Sequence, residues 1–120
     1  MTSWEAFHDN RAAQTPAACA AMRATADGYI AYAKVLDEVA TGICGLPDGA
    51  TFRVVPAESI IDIERRGRRV TVSFHASHRE VQVTGGPRGG LEKQATPARA
   101  DVPAWARSLA QEIVGHLLRD

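Results

Sequence analysis

Cysteine is scarce in this chain: Cys19 and Cys44 are the only two. Both fall in helix-like sequence with no other ligand-type residues around them, so they read as free thiols in a reducing cytosol. Long apolar runs are missing as well. None approaches the roughly 20 residues needed to cross a bilayer. The opening "MTSWEAFHDN" lacks the basic start and apolar block of a secretory signal. Net charge is also absent, with 14 basic and 14 acidic side chains. A dedicated nucleic-acid binder normally shows a basic domain or stripe, so that class is disfavoured.

What remains is the composition of an ordinary globular protein, 45% hydrophobic and 23% charged, which argues against global disorder. A chain of 120 residues is long enough to bury a core without staples, and 1–120 is expected to be a single domain. The charge is unevenly spread, at −3 over residues 1–50, +4 over 51–100 and −1 over 101–120. Twelve of the basic residues are arginine, which reads as a compositional lean before it reads as chemistry.

Two helix starts are visible. Thr2 and Glu5 have capping-box spacing, and Thr15-Pro16 sets proline at a first helical position. From there Cys19, Met22, Ala26, Tyr29, Ala33, Leu36, Ala40 and Ile43 recur at steps of three and four, an apolar helical stripe. Gly28 marks a place for a kink or break. Gly42 and Gly45 end the pattern, and "LPDG" at 46–49 is a turn.

The period then changes to two. Residues 51–55, 60–64, 69–75 and 80–84 alternate apolar and polar, predicting four short strands, each with one apolar face. A loop at Arg66-Gly67 would set Ile63 opposite Val70, Ile61 opposite Val72 and Glu64 opposite Arg69. A turn centred on Ala76-Ser77 would set Val72 opposite Val81 and Val70 opposite Val83. The segment 85–100, rich in glycine and proline, reads as a flexible loop with at most a scrap of edge strand near Leu91. A last helix opens near Asp101-Val102-Pro103 and aligns Trp105, Leu109, Ile113 and Leu117. The expected fold is α+β: a two-layer sandwich of N-terminal helices, a four-stranded antiparallel meander, and a C-terminal helix packed on one sheet face.

Four features carry candidate chemistry. His75 and His78 flank the expected hairpin turn, and extending the pairing backwards brings Glu58 opposite His75. These three are candidate ligands for zinc or a similar divalent ion. Ser73, His75 and Glu80 share the outer face and could serve acid–base chemistry, although Ser73 and His75 are expected too far apart for a direct hydrogen bond. "ERRGRRV" at 64–70 gathers Arg65, Arg66, Arg68 and Arg69 at a hairpin tip, with Arg53 nearby. Such guanidinium forks could grip an acidic protein partner or nucleic-acid phosphates. The last feature, "GGPRGG" at 85–90, lacks the lysine–serine pair of a phosphate loop. Trp4, Phe7, Met22, Tyr29, Tyr32, Trp105 and Leu109 could line a pocket, but read first as core.

No catalytic constellation stands out. The sequence therefore points to a non-enzymatic interaction protein in the cytoplasm, without membrane contact: a small adaptor, inhibitor or immunity-type partner, or a homodimer. A metal-dependent or acid–base enzyme around the His75/His78 hairpin is the alternative, and a nucleic-acid contact through the Arg65–Arg69 tip is a second. Two sheet edges, near Arg53 and Gln82, are expected to need a cover, a charge or a partner.

Overall fold

Thr15 starts the first helix by accepting a hydrogen bond from the Ala18 backbone N–H on its hydroxyl, at 3.2 Å. Proline follows at the first helical position, where its missing N–H costs nothing. The computed structural model describes residues 15–44, 50–75 and 79–119, and in it α1 runs unbroken as Pro16–Cys44. Gly28 does not split it. The Thr2–Glu5 capping box, the "LPDG" turn, Trp4 and Phe7 lie outside the described residues.

The strands follow the two-residue period. They are β1 (Thr51–Val55), β2 (Ile60–Arg65), β3 (Arg68–His75), β4 (Glu80–Thr84) and β5 (Leu91–Ala95). Short 3-10 turns cover Pro56–Glu58 and Arg99–Asp101, and α2 (Val102–Leu118) ends the fold. All five strands form one antiparallel sheet in sequence order. At the β2–β3 turn Arg66 and Gly67 both take positive φ, 51° and 81°. That combination suits the twist of a two-residue hairpin, and glycine at the second position removes half of its strain. Ile63 faces Val70, Ile61 faces Val72 and Glu64 faces Arg69, as the alternation predicts.

Two sequence expectations are corrected. The sheet has five strands rather than four, because β5 occupies part of the expected 85–100 loop. Its residues facing the helices, Glu92 and Gln94, are polar, so no apolar alternation announced it. Gln94 instead accepts a hydrogen bond from the Trp105 indole at 3.1 Å, which ties this edge to α2. The β3–β4 register is also shifted by two residues: Val72 faces Val83 and Phe74 faces Val81. An even shift leaves every side chain on its expected face, so the apolar pattern alone could not detect it.

One sheet face is apolar and both helices cover it. Ile61, Ile63, Val70, Val72, Phe74, Val81 and Val83 meet Ala31, Tyr32, Val35 and Val39 of α1 and Ala106, Leu109, Ile113 and Leu117 of α2. Each fully buried aliphatic side chain contributes about 1.5–3 kcal/mol over leaving it in water. Tyr32 and Phe74 meet edge to face, with centroids 5.5 Å apart. No described helix is long and apolar enough to cross a membrane.

Candidate functional site

The hairpin tip of β2 and β3 carries the arginines singled out above. The strand period turns Arg65 and Arg68 toward the helices rather than into solvent. Arg65 is buried and donates to the Leu117 carbonyl at 2.8 Å; half-buried Arg68 donates to the His116 carbonyl at 2.7 Å. Both serve carbonyls of the last turn and the negative dipole end of α2. Arg69 lies on the opposite face, where its guanidinium grips both oxygens of Asp62, at 2.9 and 3.1 Å from Nε. Thr71 adds a hydroxyl donor to the same carboxylate at 3.0 Å. The Arg69 bond holds the buried Asp62 carboxyl below its ordinary range, against the opposing effect of burial. Arg66 and Arg53 are exposed. The tip is thus in large part a clamp on the end of α2.

At the other end of β3, Ser73 Oγ lies 3.2 Å from His75 Nε2. The two residues are within hydrogen-bond reach after all, because the imidazole folds back along the strand. Glu80 faces His75, and Gln82 faces Ser73. Glu80 accepts a hydrogen bond from the Gln82 amide at 2.9 Å. A hydroxyl and an imidazole in contact could begin acyl chemistry, but no carboxylate among the described residues is bonded to His75 to orient it. Glu58 sits exposed in the 3-10 turn before β2, and His78 lies outside the described residues. No group of three potential metal ligands gathers among the described residues.

The least expected surface is on α1. The sequence shows Cys19, Met22, Ala26, Tyr29, Ala33, Leu36, Ala40 and Ile43 as an apolar stripe, with Met22 and Tyr29 read as core. The helix instead buries Gly28, Ala31, Tyr32, Val35 and Val39, where small and β-branched side chains meet the pleated sheet closely. The first stripe is left largely in water: Met22 is 58% exposed and Tyr29 52%. Cys19, Ala33 and Ala40 are exposed too, while Ala26, Leu36 and Ile43 are half-buried. Every residue of 15–23 is exposed, since a helix of about 44 Å overhangs strands no longer than about 27 Å. Met22 and Tyr29 are therefore not part of the core.

The spacing of that stripe, 3-4-3-4-3-4-3, is the heptad spacing of a helix–helix seam. On a straight helix such a stripe drifts by about 20° per heptad. It begins opposite the buried face and ends beside it, and Leu36 and Ile43 accordingly pack partly against the core. Asp27, on the inward side of the same helix, is bonded to Arg99 and lies 3.6 Å from Arg79. That anchoring holds the base of the overhang, and the Arg99 bond keeps the Asp27 carboxyl below its usual range. A concavity of about 490 Å³ opens between the helices, lined by Thr41, Gly42, Ala110 and Val114 together with Glu38 and Arg107.

No family model, curated protein or solved structure matches the chain.

Proposed function

We propose that the protein is a non-enzymatic, cytoplasmic interaction module that binds an α-helix along the outward stripe of α1. The observation behind this reading is a second apolar stripe at heptad spacing that the fold leaves exposed, with Met22 and Tyr29 more than half accessible. A contiguous exposed apolar surface on a small protein marks an interaction site, and the 3-4 spacing selects a helix as the shape that fits it. The two free thiols, both exposed, suit a reducing compartment.

Photo-cross-linking in cells tests the reading. A photoreactive residue at position 22 or 29 is expected to capture protein, while one at exposed Glu112 on α2 serves as the control. Capture at 22 and 29 no greater than at 112 overturns it.

A further inference from the structure

We infer that the helix bound by this stripe is α1 of a second copy, paired antiparallel about Ala31. The inference rests on the helix-binding reading and adds the occupant and its register. Aligning two stripes in opposite directions, with the level of residue 31 as the midpoint of the overlap and Ala31 itself turned inward to its own core, stacks them in four kinds of layer. Cys19 meets Ile43 of the partner subunit, Met22 meets the partner's Ala40, Ala26 meets the partner's Leu36, and Tyr29 meets the partner's Ala33. Every methionine, leucine and tyrosine of the seam then lies against an alanine. Each layer holds one large and one small side chain, so the helix axes can stay at one close separation along the whole contact.

A parallel alignment fails the same test. It would stack Met22, Tyr29 and Leu36 each on its own copy and leave Ala26, Ala33 and Ala40 facing alanine, so that crowded and empty layers alternate. Charge favours the antiparallel arrangement as well. Arg23 comes alongside Asp37 of the partner subunit, twice by symmetry, and both are exposed in the single chain. Over 15–26 the helix carries Arg23 as its lone charge, so it offers little attraction to a strongly acidic or basic partner and little self-repulsion.

The geometry also accounts for the overhang. The overlap 19–43 is about 36 Å long. Within it Cys19 and Met22 of the exposed segment lie on the partner's Ile43 and the partner's Ala40, and Ala26 just beyond lies on the partner's Leu36; Leu36 and Ile43 already pack on the core of their own chain. The seam is continuous with the two cores and gives the projecting turns the tertiary contact they lack in one chain.

Sedimentation equilibrium of the purified chain, from low micromolar to near-millimolar, is the test. A reversible dimer is expected. Ala33→Glu, at an exposed position, should weaken it more than tenfold while leaving the melting of the dilute protein unchanged. With Cys19 and Cys44 replaced by serine, Met22→Cys plus Ala40→Cys should oxidise to a covalent dimer, whereas Met22→Cys alone should not. Within one helix those positions are about 27 Å apart, so their disulfide can form only between copies. Efficient cross-linking of Met22→Cys alone would show a parallel pair and overturn the register. A monomer at every concentration overturns self-pairing, but if positions 22 and 29 still capture another protein in cells, the helix-binding reading survives it.

Discussion

Replacing Arg65 by alanine measures how far the hairpin tip serves the fold. Arg65 is 7% exposed and donates to the Leu117 carbonyl at 2.8 Å. A hydrogen bond from a charged donor contributes about 1.5–3 kcal/mol. Truncation also removes two buried methylenes, at about 0.8 kcal/mol each. The expected loss is therefore about 3–5 kcal/mol, a large part of the roughly 5–15 kcal/mol that holds a domain together. Arg65→Met keeps most of the stem and should lose only the bond. Arg53→Ala, at an exposed position on the outer face, should stay within about 0.5 kcal/mol of the parent. Urea unfolding followed by circular dichroism reads all three, provided the slope with denaturant is unchanged. If Arg65→Ala costs no more than Arg53→Ala, the clamp reasoning is refuted.

Gly42→Ala should destabilise by about 1–2 kcal/mol although alanine is the better helix former, because its Cβ would come 2.6 Å from Val114 Cγ2. Val114→Ala in the same chain should recover most of that loss in a double-mutant cycle, and additive losses would contradict the close approach. Asp62→Asn should cost about 1–2 kcal/mol at neutral pH by weakening the grip of Arg69. The folded Asp62 carboxyl titrates below its ordinary value, so its contribution is present above the unfolded pKa of about 3.9 and disappears as pH falls through the folded value. Parent and variant stabilities should converge below about pH 4, and a constant gap down to strong acid would argue against the ion pair. Gln94→Leu should free the Trp105 indole and raise amide exchange in β5, with β2 unaffected; unchanged β5 exchange would show that the edge is held by other means.

The strand region was legible because burial of one face writes itself as a two-residue period. Arg66-Gly67 left a single register for β2 and β3. What failed did so for physical reasons. The β3–β4 slip keeps every face, so hydrophobicity carries no information about it. β5 turns Glu92 and Gln94 rather than apolar side chains toward the helices, and its ladder with β4 is supplemented by the Trp105–Gln94 bond, so the apolar alternation that marks the other strands is missing. On α1 the difficulty was the opposite, for an alanine-rich helix carries two apolar stripes and periodicity cannot say which one meets the sheet. The stripe that the sequence displays proved to be the outward one, so Met22 and Tyr29, read as core, supply the candidate interface instead. The Ser73–His75 contact was missed because Cβ spacing along a strand ignores how far an imidazole folds back.

The central claim is that the overhanging part of α1 is an interface and not a bare helix. Hydrogen exchange of the backbone amides of residues 19–23 at several protein concentrations tests it most directly. A helical segment of this length without tertiary contact is marginal in water. The account predicts strong protection in concentrated protein that falls on dilution and is lost in Ala33→Glu. Exchange at unfolded rates at every concentration, or protection independent of both dilution and that substitution, would contradict it.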